Sequence, residues 1–517
     1  MLLGVVGGIL SIFAAGKVAY RFGADLRADL YNRISQFSFS DVDRLEAPSL
    51  ITRMGDDVNR VQQVIQASMR LLFRAPFLFI GAVVMSFMID VNVSIVLLMI
   101  MLASFMFVIF IMRRALPLFV SQQKKRDNFV AIVQEILVGV RVTKAYTNEK
   151  VESDKFDHVN NDLLDSTIVV SRTMSYMMPV VNFALNVGII IVIYFGAHEV
   201  QIGNMKLGGI MATINYLAQI QMALMMASHV IMSITQAQAS LSRLKEVLAT
   251  PTEIETDNQI RQDTPIADYR NGDIEFSNVS FSYDGQNRQL SNISFRLPQG
   301  QTLAILGETG SGKSTLINLI PRFYDPTEGV ISIAGTPLTQ IDRRQLQSHV
   351  SVVMQHSLLF GGTIRYNMQM GCPDATDEEI LQACEMAQIA DHIKSLPDGL
   401  DHILEQGATN LSGGQKQRLC IARTLLSQPD IMILDDSFCA LDLLTESKIK
   451  SALDKIKCTK IIVAQRISSI RNADQILLLS AGRIEACGTH SELMQVSQTY
   501  RETYRAQTGD NNKQDVA

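Results

Sequence analysis

The chain carries no surplus of basic residues: 46 Lys and Arg stand against 51 Asp and Glu, a formal charge of −5. Without a positive field there is no electrostatic footprint for nucleic acid, and that class of partner is excluded. Cysteine is scarce and one-sided. All six (Cys372, Cys384, Cys420, Cys439, Cys458 and Cys487) fall in the second half of the 517 residues, and none forms a C-x2-C pair. That spacing argues against a close-paired zinc site and reads as reduced thiols in a cytosolic compartment. No basic leader precedes the apolar stretch opening at Met1, and the stretch is too long for a signal core, so no cleavable signal is expected. Charged residues make up only 19% of the chain. They are unevenly spread: long apolar runs dominate before about Thr250, and a regular soluble composition comes after. The mean hydropathy of +0.15 averages two unlike halves, which predicts more than one domain.

A bilayer core of about 30 Å needs about 20 mostly apolar residues in a helix. Five segments meet that length, at about 2–20, 71–89, 93–112, 174–197 and 207–235. Asp90, Val91 and Asn92 alone separate the second from the third, a tight turn between antiparallel spans. The long connections hold the basic residues: Arg21, Arg27, Arg33, Arg53 and Arg60 after the first span, and Arg113, Arg114, Lys124, Lys125 and Arg126 after the third. By the positive-inside rule these connections, and everything after the fifth span, are cytoplasmic. Apolar residues recur at helical spacing through Leu26, Leu30 and Ile34 and through Ile132, Ile136 and Val140, so the helices are expected to run on into the cytoplasm. Near their far ends, 48–58 and 139–149 mix apolar, charged and turn-forming residues. Solvated bends would look similar; a contact surface for the second domain is the reading adopted.

Polar side chains at membrane depth avoid lipid. Asn182, Asn186, Asn215, Gln219, Gln221 and His229 serve either interhelical hydrogen bonds or a substrate pathway, and composition does not choose between them. The cluster Met222, Met225 and Met226 suits packing and promiscuous ligands equally.

The second half opens with strand-like alternation at Ile274. A buried-strand run, 302–306, leads into Gly307, Glu308, Thr309, Gly310, Ser311, Gly312, Lys313, Ser314 and Thr315. This is G-x4-G-K-[ST] with a strand before it and a helix after it, as a P-loop requires. The glycines let backbone N–H groups close around phosphate, and the helix N-terminus adds its positive end. Lys313 neutralises β/γ-phosphate charge, and the Ser314 hydroxyl is a Mg²⁺ ligand. The apolar run 431–434 delivers Asp435 to the tip of a buried parallel strand, where a metal-binding carboxylate belongs. Asp436 is the next residue.

Between these motifs stand Leu411, Ser412, Gly413, Gly414 and Gln415. Here the sequence resembles the ABC transporter ATPases, whose signature is LSGGQ, and the first half resembles the membrane domain of type-1 exporters. The resemblance covers the whole chain. It implies a membrane all-α helical domain over 1–240, a linker over 241–271, an α/β P-loop ATPase domain over 272–508 and a polar tail over 509–517. It implies that Tyr283 stacks on adenine, a contact worth about 1–3 kcal/mol by analogy with base stacking. Gln355 is implied to reach the metal beside Ser314 and Asp435, Asp442 to belong to the D-loop, and 48–58 and 139–149 to be coupling helices. Family halves have six spans, so one span is expected to be missing before Met1.

Two positions depart from the family pattern. Where active members place Glu as general base, this chain has Asp436; where they place the switch histidine, it has Gln465. The shorter acid withdraws its carboxylate by about 1.5 Å, and a 1 Å displacement can cost about 100-fold in rate. An amide cannot become the cation that histidine can. A weakened own site beside an intact signature resembles one half of a heterodimeric exporter, since each nucleotide lies between one subunit's Walker motifs and the other's signature. The expectation is ATP-driven efflux of small amphipathic or drug-like compounds across the bacterial plasma membrane, with ATP and Mg²⁺ bound. The partners are a second homologous half-transporter and membrane lipid. A lipid or peptide exporter subunit and a truncated, non-functional fragment stay open as alternatives. The five spans exclude a soluble ABC ATPase.

Overall fold

The computed structural model describes residues 2–72, 74–203, 205–251 and 272–508. Most of the expected linker (252–271) and the expected tail (509–517) lie outside the described residues. The chain forms two compact units, Met1–Asn32 with Pro48–Ala249, and Arg33–Ala47 with Thr250–Ala517.

In the first unit four helical stretches are, among the described residues, long and apolar enough to cross a membrane: Ala47–Ile89, Val91–Val138, Glu149–Ile202 and Leu207–Ser228. The span expected at 2–20 lies on the 33-residue helix Leu2–Ile34, whose first side chains are outside the described set. A rise of 1.5 Å per residue makes the 48-residue helix Val91–Val138 about 70 Å long, far more than hydrocarbon spans. Its basic cluster at 124–126 therefore sits well outside the bilayer, as its composition demands. The turn at Asp90 is built locally: its carboxylate accepts the Val93 N–H at 2.9 Å, and the Ser86 and Ser94 hydroxyls pair at 2.7 Å. Small residues set the helix spacing. A Cβ at Gly188 would lie 3.0 Å from Leu217 Cδ2, and one at Gly196 would lie 2.9 Å from Ile210 Cγ1. Met101, Val192, Leu217 and Ile220 pack in the core of this unit, while Phe77, Met88, Leu102 and Phe110 stay exposed, as hydrocarbon surroundings require.

Chain reversals fall close to the expected contact segments but not all at their centres. Ser38 caps a short helix, Phe39–Leu45, by accepting the Asp41 N–H, and Glu46 then takes a positive φ of 58°. Residues 48–58 instead begin the next long helical run, through Ala47–Thr52 and the wide turn Arg53–Asp57. Ser38 is the stronger helix-start signal, with Asp41 three residues on. The second segment, 139–149, holds the short helix Val140–Ala145 between Gly139 and a positive φ at Thr147. Residues 241–249, expected as linker, complete the helix Leu207–Ala249.

The second unit contains strands β1 (Ile274–Phe281), β2 (Leu290–Leu297), β3 (Thr302–Gly307), β4 (Glu328–Ile333), β5 (Thr336–Pro337) and β6 (Val350–Val353). After them come β7 (Gly362–Thr363), β8 (Ile403–Leu404), β9 (Ile431–Asp435), β10 (Thr459–Val463), β11 (Gln475–Ser480) and β12 (Arg483–Gly488). An antiparallel sheet runs β2-β1-β4-β5, and a six-stranded sheet runs β12-β11-β3-β10-β9-β6, parallel except at β12. Every residue of β9 and β10 is buried, the signature of parallel strands covered on both faces. One core, with Phe276, Ile293, Ile305 and Leu316, fills the space between the sheets. The other, with Leu419, Leu434, Ile462 and Ile476, carries the helical part.

An ion-pair cluster ties the first unit's long helices together. Arg243 grips Asp57 with two nitrogens, at 2.8 and 2.5 Å, and Arg53 donates to the Arg243 carbonyl and to Glu246. Asp57 is 1% exposed, so its carboxylate depends on this partner. Removing one member of a buried pair costs about 3–5 kcal/mol, and somewhat less where, as here, the cation is partly wet. Arg243→Ala should therefore lower the unfolding midpoint of the detergent-purified chain clearly. Adding Asp57→Asn should recover part of the loss, because the stranded charge is gone. Equal midpoints for the single and double variants would contradict this account.

Candidate nucleotide site

The parallel register decides which residues meet. Ile305 on β3 pairs with Val463 on β10, and Val463 pairs with Asp435 on β9. β9 and β10 therefore end level while β3 runs two residues further, to Gly307 beside β11, and the loops leaving all three share one carboxyl edge, where open α/β sheets bind ligands.

After β3 the loop turns through Gly310 (φ 83°) and Gly312 (φ 99°) into the helix starting at Lys313. Gly307 has no alternative: a Cβ there would lie 2.2 Å from the Leu479 carbonyl oxygen and 2.7 Å from Ser311 Oγ. Ser311 Oγ is buried without a hydrogen-bond partner among the described residues, an unsatisfied polar atom in a loop whose chemistry is anion binding. The Lys313 ammonium donates to the carbonyls of Gly307 and Glu308 at 2.8 and 2.7 Å. Burial lowers its pKa from the ordinary lysine value, and the carboxylates of Asp436 and Asp435 oppose that shift. Thr309 is exposed and Thr315 is buried. Burial raises Asp435, and a hydrogen bond from Ser314 pulls the other way. A hydroxyl beside a carboxylate that is costly to leave bare is a donor set that Mg²⁺ accepts. Gln355, third of the expected metal contacts, is exposed just past the end of β6.

Asp436 sits in the left-handed region at φ 49°, and its N–H donates to the Val463 carbonyl at 3.1 Å. A side chain with that φ is uncommon and marks a held geometry. Gln465 Nε2 donates to Asp436 Oδ2 at 2.5 Å. The two residues read from the sequence as departures from the family pattern are thus bonded to each other. They share a cavity of about 140 Å³ with Cys439, Glu446, Arg466 and Ser469.

Tyr283 is joined to the P-loop helix by a hydrogen bond from its hydroxyl to Thr315 Oγ1 at 3.3 Å, and the residue is 49% exposed. A flat, half-open ring over the loop is suited to stacking on a base. Tyr324, which sequence reasoning missed, meets Tyr283 edge-on at 5.1 Å and donates to Asp43 at 2.5 Å. Beside it Phe39 stacks on Phe323 at 4.2 Å. The short helix Phe39–Leu45 therefore packs on the aromatic group that supports Tyr283. No local spacing signals this, because Asp43 and Tyr324 are 281 residues apart.

The signature residues make their contacts elsewhere. Leu411 is buried; Ser412 caps the helix Gly413–Leu426 in a reciprocal box with Gln415. Gly413 faces open space, and a Cβ at Gly414 would lie 3.1 Å from the Ala440 carbonyl, which places this helix against the D-loop. Asp442 caps the next helix, Leu443–Leu453, by accepting the Thr445 N–H. Ser412 and Gln415 thereby cap a helix whose N-terminal end is exposed at Ser412 and Gly413. Of the residues expected at membrane depth, the His229 side chain lies outside those described; Gln221 and Asn182 hydrogen-bond each other at 3.4 Å.

Comparison with known proteins bears on both units. Residues 1–224 match the ABC transporter transmembrane region, and residues 290–438 match the ABC transporter family model. The chain is 39% identical over 508 residues to the "Uncharacterized ABC transporter ATP-binding protein YfiB" of Bacillus subtilis (strain 168), covering 98% of this chain and 88% of that protein. It is 32% identical over 507 residues to the "Putative multidrug export ATP-binding/permease protein YgaD" of the same strain, covering 96% of this chain and 84% of that protein. A solved bacterial Atm1-family ABC exporter with ATP bound shares the fold, with a TM-score of 0.80 at 24% identity, over 97% of this chain and 86% of that one.

Gly307 and Lys313 give separable tests of the loop. Gly307→Ala should abolish retention on an ATP-analogue resin and also lower the unfolding midpoint, because backbone must move. Lys313→Ala should lower retention about tenfold or more through the lost counter-cation, with the midpoint nearly unchanged. Undiminished retention of Lys313→Ala would remove that residue from the site.

Proposed function

The chain belongs to the ABC transporters, as a type-1 exporter half-transporter and multi-pass membrane protein, and from that premise we propose that it exports small amphipathic compounds as the weaker-hydrolysing half of a heterodimer. ATP is read as lying on the P-loop, with its base on Tyr283 and its phosphates under the N–H groups of 308–313 and Lys313. Ser314, Asp435 and Gln355 would hold Mg²⁺, which neutralises phosphate charge when bound. Asp436 and Gln465 face the terminal phosphate. The signature Leu411 to Gln415 would complete the partner's site rather than this one, with Asp442 beside the shared interface.

The observation that carries the asymmetric reading is the 2.5 Å bond from Gln465 to Asp436. A general base must reach the water it deprotonates. Asp436 is one methylene short of that reach, and one of its oxygens accepts a hydrogen bond from the neighbouring amide. Gln465 in turn commits one of its two amide N–H donors to Asp436, which leaves a single uncharged donor for a phosphate that a histidine could meet as a cation. Each departure makes the other worse for hydrolysis, while the P-loop that binds ATP is complete. The site is built to hold nucleotide longer than to cleave it. The relative with a putative multidrug-export name supports the drug-like substrate class.

The contact of Phe39 and Asp43 with Phe323 and Tyr324 supports coupling close to the base. Closure of two ATP-loaded domains would draw this short helix along and turn the cavity outward. Hydrolysis at the partner's site would reset it.

In the assembled transporter Ser412→Arg should nearly abolish ATPase activity, because it breaks the partner's competent site, while Asp436→Asn should leave most of it. Equal losses would contradict the asymmetric reading. In a forced homodimer of this chain, steady-state phosphate release should be slow. Asp436→Glu with Gln465→His together should raise it well beyond either change alone, on the scale of 10²–10⁴-fold that a positioned base supplies. A fast wild-type homodimer would overturn the proposal.

A further inference from the structure

The loop after β10 is fastened from a distant part of the chain. The C-terminal helix Gln498–Thr508 brings one side chain, Gln507, against it. Gln507 Nε2 donates to the Gln465 carbonyl at 2.8 Å, and Gln507 Oε1 accepts the Ile467 N–H at 2.7 Å. A primary amide carries one donor face and one acceptor face at the spacing of a peptide group. Here it satisfies the carbonyl of one residue and the N–H of the residue two further on, so the main chain on both sides of Arg466 is held by a single side chain. Ile467 is fully buried, and Ser469 donates to Glu446 at 2.5 Å, which secures the end of the same loop. At its beginning the Gln465 side chain reaches Asp436.

We propose that Gln507 is a positioning residue for the nucleotide site: it fixes the main chain at 465–467 and so aims the Gln465 side chain at Asp436 and the terminal phosphate. This rests on position 465 being the γ-phosphate contact. The helix does not need Gln507 to dock, because Tyr500, fully buried and hydrogen-bonded to His490 at 2.8 Å, anchors it already. Gln507 itself is exposed and contributes direction rather than buried area. It extends the nucleotide site to the end of the described chain, so that what happens at the C-terminal helix is felt at the terminal phosphate and not at the base or the α- and β-phosphates.

The test is equilibrium binding of Mg-ATP and Mg-ADP to the full chain in nanodiscs, for wild type, Gln507→Ala, Gln465→Ala and the double variant. Gln507→Ala should weaken ATP about 5- to 10-fold, the scale of a hydrogen bond's net worth, and leave ADP within about twofold. In the Gln465→Ala background it should add nothing further. Gln507→Glu, which keeps the acceptor and the size but loses the donor, should reproduce the ATP-selective loss. Equal weakening of both nucleotides, or a Gln507 effect that persists without the Gln465 side chain, would assign Gln507 a merely structural role and overturn the proposal. If Gln465→Ala weakens ATP selectively and Gln507→Ala does not, the clamp alone fails. If Gln465→Ala leaves both nucleotides unaltered, the γ-phosphate reading of position 465 fails and the clamp's purpose with it.

Discussion

The constraint on which the ATP-binding unit depends is the register of three buried parallel strands. β3, β10 and β9 pair residue for residue up to Ile305, Val463 and Asp435. A slip of two residues in either pairing would keep every apolar side chain buried, yet carry Asp436 or Gln465 about 7 Å along the strand, away from the P-loop. A slip of one would swap every side chain between the two covered faces and unseat both cores. The core therefore rejects odd slips by itself. Even slips need another barrier, and the Asp436 N–H to Val463 carbonyl bond is placed where it supplies one. The left-handed φ of Asp436 results from making that bond while still aiming the side chain at the site.

The membrane unit obeys a different constraint. Helices that must satisfy their own backbone in hydrocarbon cannot end there, so turns are driven either to the outer surface or far into the cytoplasm. Asp90 turns the chain with a single capping carboxylate. On the other side the helices run on, and the Asp57, Arg243, Arg53 and Glu246 cluster fastens them where water and charge are allowed.

Much of this was legible in the sequence because the signals are local. The P-loop, the apolar run ending in Asp435 and the spans each declare themselves within about 20 residues, the scale of one element. The short helix Phe39–Leu45 was not among the expected elements, although Ser38, with Asp41 three residues on, is its helix-start signal. Pro48 stands in the first turn of a helix, where a missing N–H costs nothing. What could not be read were pairings across long separations. Nothing near Asp43 predicts Tyr324, and nothing near Gln465 predicts Gln507, 42 residues on.

Asp436 and Gln465 fit together in a way that neither shows alone. On the proposed reading each subtracts one function, reach in the first and charge in the second. Bonded to each other they form a unit with its own geometry: a short acid that an amide can meet at 2.5 Å because the missing methylene leaves it room. A Glu at 436 would fill that space and push against the amide. A His at 465 would present a ring nitrogen at a different distance from the same main-chain position. The pair is therefore more compatible with itself than either residue is with the family's usual partner. The main chain beneath it is held by Gln507, which bonds the Gln465 carbonyl and the Ile467 N–H. On the proposed reading that contact, beside a complete P-loop and a capped signature helix, suits a site that holds nucleotide longer than it cleaves it.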